Sequence, residues 1–289
     1  MMQNINLSEI IVPNTSNIQQ NALIQRLLKN GMHTLVVGST GSGKTSVIKN
    51  YLLKNKEDAT VNLPIIMNFS ANTQAGEVQS YLDGKLEKRK RGVFGPPVNK
   101  KYLFYVDDLN LPMKEKYGCI NSHELVRQMI AHGGWFDLKE LYFKQVIDTY
   151  CVSAMVQAGG SRNPVTQRLL RHFVVMDFLE MNEAQLNSIF GQILQWWSRK
   201  VFDPTTITEE IANKLNSVCD KLVPAAIEIY SAVRSGMLPT PAKMHYTYNL
   251  RDLGKLFQGI LMINPASICF SQPKEKGAAP VLLDAPECI

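Results

Sequence analysis

Eight consecutive residues, Gly38-Ser39-Thr40-Gly41-Ser42-Gly43-Lys44-Thr45, carry the sharpest chemical signal in this 289-residue chain. The spacing G-x-x-x-x-G-K-[ST] suits a backbone turn closed around phosphate. Each residue type has a task in it. Gly38, Gly41 and Gly43 let N–H groups wrap a phosphate, with Ser39, Thr40 and Ser42 completing the turn, and a following helix would add its positive dipole end. Lys44 would neutralise β- and γ-phosphate oxygens, and Thr45 would ligate Mg2+. Residue frequencies alone would produce the pattern in about one chain in a hundred of this length, before a flanking strand and helix are also required. A second signal stands where the apolar run Tyr102–Val106 meets Asp107 and Asp108. A buried strand ending in acids delivers a carboxylate to the edge of a sheet, which makes Asp107 the candidate for the Mg2+ shell. A solvated turn of two acids is the duller reading, and it leaves the apolar strand unexplained.

These residues need a parallel sheet to bring them together. Apolar, β-branched runs predict strands at Leu35–Gly38, Pro64–Phe69, Tyr102–Asp107, Asp148–Ala154 and Phe173–Asp177. Helical patterns lie between them at Lys44–Lys54, Thr73–Lys90, Ser122–His132 and Val165–Arg171. Strands alternating with helices mean an α/β core. After Asp177 the pattern turns helical, so the expected organisation is an α/β domain over 1–178, a helical domain over 179–271 and an irregular tail over 272–289. Capping-box patterns at Asn182-x-x-Gln185 and Thr206-x-x-Glu209 open helices, and a last helix is expected from about Asn249 to Met262.

Composition narrows the partners. Lys+Arg 31 against Asp+Glu 25 gives a net charge of +6, small for a nucleic-acid binder and compatible with an anionic small ligand. The basic run Lys85–Arg91 reads as a solvated helix end, because no aromatic platform is interleaved with it. Five cysteines without metal-ligand spacing suggest neither disulfides nor structural zinc. No apolar run approaches the roughly 18–20 residues that span a bilayer, so a soluble, non-secreted chain without membrane or nucleic-acid partners is expected. Trp196-Trp197 reads as packing, and the single histidines carry no catalytic pattern.

Several idiosyncratic stretches then carry a resemblance. Gly92-Val93-Phe94-Gly95-Pro96-Pro97, Val106-Asp107-Asp108-Leu109-Asn110-Leu111-Pro112 and Lys116-Tyr117-Gly118 look like the third AAA+ module of axonemal dynein heavy chains of the inner-arm type. His132–Leu138, Gly159–Thr166, Arg171-His172-Phe173 and Asn249–Leu253 continue the likeness, which covers roughly residues 8–265. It implies a P-loop NTPase of the AAA+ fold: a five-stranded parallel sheet with flanking helices plus a smaller helical lid, clamping ATP or ADP with Mg2+.

The same resemblance assigns further residues. Ile10–Asn14, with Val12 and Pro13, matches the loop that packs on adenine. Arg251 takes the sensor 2 position opposite the phosphates. Arg171 matches the arginine finger, which points at a neighbouring module's nucleotide; Arg168, three residues earlier, is the alternative. Two positions depart from the pattern. Asp108 stands where AAA+ ATPases usually carry Glu as the catalytic base, one methylene or about 1.5 Å shorter. The sensor 1 position, commonly Asn, falls near Val156 or Gln157. Together they imply slow or absent hydrolysis.

The expected role is therefore a nucleotide-gated regulatory module of a microtubule motor in the cytoplasm, within the axoneme of a cilium or flagellum. Its partners would be neighbouring AAA+ modules of a ring, with microtubules reached only indirectly. A ring module holding ADP permanently and a self-standing AAA+ ATPase are the alternatives.

Overall fold

A computed structural model describes residues 10–57, 62–138, 140–160, 162–201, 209–262, 270–271 and 281–282. The five apolar runs form the strands of one sheet: β1 (Thr34–Gly38), β2 (Asn62–Asn68), β5 (Lys101–Asp107), β8 (Thr149–Met155) and β9 (Val174–Phe178), in the order β2-β5-β8-β1-β9. All four pairings are parallel. The expected five-stranded parallel sheet with flanking helices is therefore present.

Parallel sheets are covered on both faces, and β5 shows why its sequence is almost uniformly apolar. Tyr102, Phe104 and Val106 point into one core cluster, while Leu103 and Tyr105 point into another. The helices α1 (Thr15–Lys29) and α2 (Lys44–Glu57) cover the second face with Ile24, Leu28, Val47, Ile48 and Leu52. The opposite face lies under α3 (Ala75–Asp83) and α4 (Asn121–His132) through Val78, Leu82, Leu125, Val126 and Met129. Helix α5 (Gln167–Leu170) is a single turn, shorter than the expected Val165–Arg171.

The expected helix over Thr73–Lys90 is corrected. It stops at Asp83, and β3 (Glu87–Lys90) forms a hairpin with β4 (Val93–Gly95). The basic run thus lies mainly in a strand, not at a helix end. A second sheet, ordered β3-β4-β7-β6, adds β6 (Gly134–Phe136) and β7 (Phe143–Val146). Arg89 explains the choice: its guanidinium donates to the carbonyls of Pro96 and Pro97 at 2.6 and 2.9 Å and pairs with Asp148 at 3.1 Å. Lys144 of β7 holds Asp83 at 3.1 Å and also pairs with Asp137, while Trp135 Nε1 donates to Asp83 at 3.2 Å. These contacts fasten the second sheet to the end of α3.

The chain divides into two compact units, Pro13–Glu180 and Met181–Ile289, with Met1–Val12 joined to the latter. In the second unit, α6 (Glu183–Val201), α7 (Glu209–Gly236) and α8 (Leu250–Leu261) share one core. Leu186, Phe190 and Leu194 recur every four residues along α6, and Phe190 stacks on the fully buried Phe257 with ring centroids 4.3 Å apart. Trp197 is buried and its Nε1 donates to the Leu261 carbonyl at 3.2 Å, while Trp196 is partly exposed.

One of the two expected caps can be followed: the Asn182 N–H donates to Gln185 Oε1 at 3.1 Å. The structure adds another, Asn249, which caps α8 reciprocally with Asp252. The Thr206-x-x-Glu209 cap, Cys269 and Cys288 lie outside the described residues. Proline 224 falls inside α7 and has no N–H to give the Asp220 carbonyl one turn earlier. Two short strands, β10 (Phe270–Ser271) and β11 (Val281–Leu282), pair antiparallel where the sequence showed little periodicity. Among the described residues no helix is long and apolar enough to cross a membrane.

Candidate functional site

The site begins where β1 ends. Gly38 lies in register with Phe178 of β9, and a Cβ there would sit 2.6 Å from the Phe178 carbonyl oxygen and 3.0 Å from its Cβ. Only glycine lets the chain leave the sheet this close to its neighbour. The turn then passes through left-handed backbone at Gly41 (φ 81°) and Gly43 (φ 87°) before α2 starts at Lys44. Ser42 Oγ closes the bend by donating to the Ser39 carbonyl at 3.0 Å, while Thr40 is exposed at its tip.

Lys44 is 8% exposed, and its ammonium reaches back into the bend. It donates to the carbonyls of Gly38 (2.9 Å) and Ser39 (2.6 Å) and to Ser42 Oγ (3.3 Å). Thr45 follows, and its hydroxyl donates to Asp107 Oδ2 at 3.0 Å, with Oδ1 at 3.3 Å. The strand end of β5 and the first turn of α2 therefore meet at a hydroxyl and a carboxylate. Tyr105, two residues before Asp107 on the same strand face, is fully buried. Burial, and then the Asp107 charge, push its ionisation far above the ordinary phenol range, so the phenol stays neutral beside that carboxylate.

The donor set tests which ligand fits. A hydroxyl and a carboxylate are hard oxygens of the kind Mg2+ takes. A glycine bend ending at a 14-residue helix, with a lysine folded into it, suits phosphate. Lys44, Thr45 and Asp107 together fit an Mg2+-bound nucleotide, and these are residues that the motif spacing had singled out.

Asp108 occupies left-handed backbone (φ 54°), a conformation that Asp tolerates better than most side chains. That backbone requirement is a physical reason for the shorter acid at this position. Its Oδ1 lies 3.0 Å from Arg162 Nη1, an ion pair too poorly aligned to be a hydrogen bond. The segment after Asp108 is fixed from two sides. The Leu109 N–H donates to the Ala154 carbonyl at 2.9 Å, and the Leu109 carbonyl lies 2.5 Å from Nε2 of the buried His123. Burial lowers the His123 pKa, which keeps the ring neutral.

The expected sensor position resolves into backbone and solvent. The Val156 carbonyl accepts from Asn110 Nδ2 at 2.6 Å, and Gln157 is exposed. Arg168 on α5 and Arg171 at its C-terminal end are both exposed, and Arg171 Nε donates to His172 Nε2 at 3.2 Å. Arg251 stands in the first turn of α8 with an exposed side chain, its N–H donating to Asn249 Oδ1 at 2.8 Å. Val12 is half-buried and Pro13 exposed.

Sequence reasoning assigned no role to Arg162, Asn110 or His123. A signal for the first two existed. Once β5 and β8 are parallel neighbours, the loops leaving their C-terminal ends must run side by side.

The comparisons with known proteins agree with this geometry. Residues 1–181 match the family model described as the P-loop containing dynein motor region, and residues 222–271 match an AAA+ lid domain. Dynein axonemal heavy chain 1 of Rattus norvegicus is 43% identical over 276 residues, which cover 93% of this chain and 6% of that protein. The Homo sapiens dynein axonemal heavy chain 1 is 43% identical over 271 residues, and the human dynein axonemal heavy chain 6 is 37% identical over 260. Each alignment covers only about 6% of the relative's length. A phosphate-type loop closed by Lys44, a Thr45–Asp107 contact, the parallel sheet beneath them and these matches identify the chain as a member of the P-loop dynein motor family of AAA+ proteins.

Proposed function

We propose that this chain is the third AAA+ module of an inner-arm axonemal dynein heavy chain, binding ATP or ADP with Mg2+ and turning it over slowly or not at all. The observation that carries the reading is the convergence of Lys44, Thr45 and Asp107 at one end of the sheet. In the proposed site, Gly38–Gly43 cradle phosphate, Lys44 exchanges its loop carbonyls for phosphate oxygens, and Thr45 and Asp107 hold the metal shell. Bound Mg2+ would supply charge neutralisation on the phosphates. Asp108 is short for a catalytic base and already paired with Arg162, which supports slow turnover.

Within this reading the large subdomain is 1–178, the lid 179–271 and the tail 272–289. Val12 and Pro13 pack on adenine, Arg251 acts as sensor 2, and Arg171, or Arg168 beside it, serves the neighbouring module as its finger. The partners are the adjacent modules of a dynein ring in the axoneme. Microtubules are reached only indirectly, through nucleotide-dependent changes between subdomains. Titration calorimetry with Mg·ADP and Mg·ATP, together with a phosphate-release assay, tests the proposal. Binding of both with slow release is expected, whereas no binding, or release at the rates of ordinary ATPases, refutes it. Tightly retained ADP that never exchanges would favour the permanent-ADP alternative.

A further inference from the structure

The loop joining β8 to α5 carries a cation, Arg162, to which the nucleotide reading gives no task beyond its pairing with Asp108. Four hydrogen bonds fasten this strand end and loop to the segment after Asp108. They are Leu109 N to the Ala154 carbonyl (2.9 Å), Asn110 Nδ2 to the Val156 carbonyl (2.6 Å), Asn163 N to the Asn110 carbonyl (3.0 Å) and Asn163 Nδ2 to the Pro112 carbonyl (2.7 Å). Between them a tight turn pairs Gly159 and Arg162 through both backbone groups, at 3.2 and 3.0 Å. The fastening leaves the Arg162 guanidinium against Asp108, with side chains 20% and 40% exposed. Asp108 in turn follows directly on the carboxylate that holds Thr45.

We propose that Arg162 is a positioning residue that latches Asp108: while the pair is closed, the second acid is charge-compensated and held to the β8–α5 loop, and opening it is what exposes a negative carboxylate beside the terminal phosphate. The inference rests on the nucleotide reading of the site. The contact is an ion pair without hydrogen-bond alignment, so it gives up little directional bonding when it opens. The two halves of such a latch act on a terminal phosphate with opposite sign. Without the guanidinium, an uncompensated carboxylate repels the extra charge that ATP carries over ADP. Without the carboxylate, an uncompensated guanidinium attracts it.

The test measures the ratio of affinities for Mg·AMP-PNP and Mg·ADP by calorimetry on the 289-residue chain. Arg162→Gln is expected to weaken AMP-PNP relative to ADP by roughly three- to tenfold, and Asp108→Asn to strengthen it by a similar factor. Arg162→Lys keeps the charge and should hold the ratio within about twofold of wild type. Thermal melting of each variant without nucleotide accompanies the titrations. A merely structural arginine would lower the melting temperature and both affinities together, leaving the ratio unmoved, and that result overturns the latch. So does a ratio that Arg162→Gln and Asp108→Asn shift in the same direction. Failure of the wild-type chain to bind either nucleotide overturns the nucleotide reading and the latch with it, whereas normal ADP binding with an unmoved ratio overturns the latch alone.

Discussion

Replacing Gly38 with alanine isolates the point where the sheet hands over to the phosphate loop. The new Cβ would stand 2.6 Å from the Phe178 carbonyl oxygen, 3.0 Å from the Phe178 Cβ and 3.2 Å from Ser42 Oγ. Two of these neighbours belong to strand β9, paired with β1 over five residues, so relief requires moving one strand against the other. Overpacking of a well-filled core costs about 1–3 kcal/mol, and a backbone oxygen as the obstacle argues for the upper half of that range. For a domain of this size each kcal/mol lowers the melting temperature by about 2–4 °C. Gly38→Ala should therefore melt roughly 4–12 °C below wild type in scanning calorimetry without nucleotide, and its affinity for Mg·ADP should fall as the loop shifts.

A matched control separates this clash from the general effect of removing a glycine. Gly76, in the first turn of α3, has nothing within 4 Å of its would-be Cβ. Gly76→Ala should raise stability by about 0.4–1 kcal/mol through the unfolded chain. A Gly38→Ala protein that melts with or above wild type, while Gly76→Ala behaves as stated, would show that the strands absorb the added methyl without a clash.

Lys44→Ala removes the ammonium from the bend, and a charge-assisted contact of about 1.5–3 kcal/mol corresponds to roughly a ten- to hundredfold loss of ADP and ATP affinity; unchanged affinity in calorimetry would dismiss the loop as a phosphate site. Phe257→Ala empties a fully buried position stacked on Phe190, so urea unfolding of the second unit should show a loss of about 3–5 kcal/mol. His33 accepts a hydrogen bond from the Cys151 N–H through Nδ1 at 2.9 Å, and burial, then the nearby His172, hold its pKa down at about 4 against 6.5 unfolded. The unfolded chain therefore takes up the proton first, and stability should fall as pH drops from 6.5 toward 4, by on the order of 3 kcal/mol in total. His33→Asn, which keeps an acceptor that cannot protonate there, should flatten that slope in urea titrations at pH 7 and pH 5; an unchanged slope would assign the acid sensitivity elsewhere.

How far the sequence could be read depended on whether a signal was local. The five central strands were legible because burial on both faces forces unbroken apolar runs such as Tyr102–Val106. The phosphate loop was legible because its chemistry needs fixed residues at fixed spacing. Helix α1 leaves little trace in the sequence, because only Ile24 and Leu28 of its 15 residues are buried, too thin a stripe to register. Strand β3 is not legible in the sequence because its basic, largely exposed residues carry no strand pattern, and what makes them a strand is a partner, β4, that itself pairs with β7 some fifty residues on. The Asp108–Arg162 pair has no local signal for the same reason. Fifty-four positions separate the two, and only the parallel alignment of β5 and β8 makes them neighbours.

The proline in the middle of α7 carries a mechanical consequence. A helix of 28 residues is a rod about 42 Å long. Pro224 omits one rung from its ladder of backbone bonds, near the midpoint. A rod resists bending least where a rung is missing, so flexing of α7 would centre on that position, which is written by one residue.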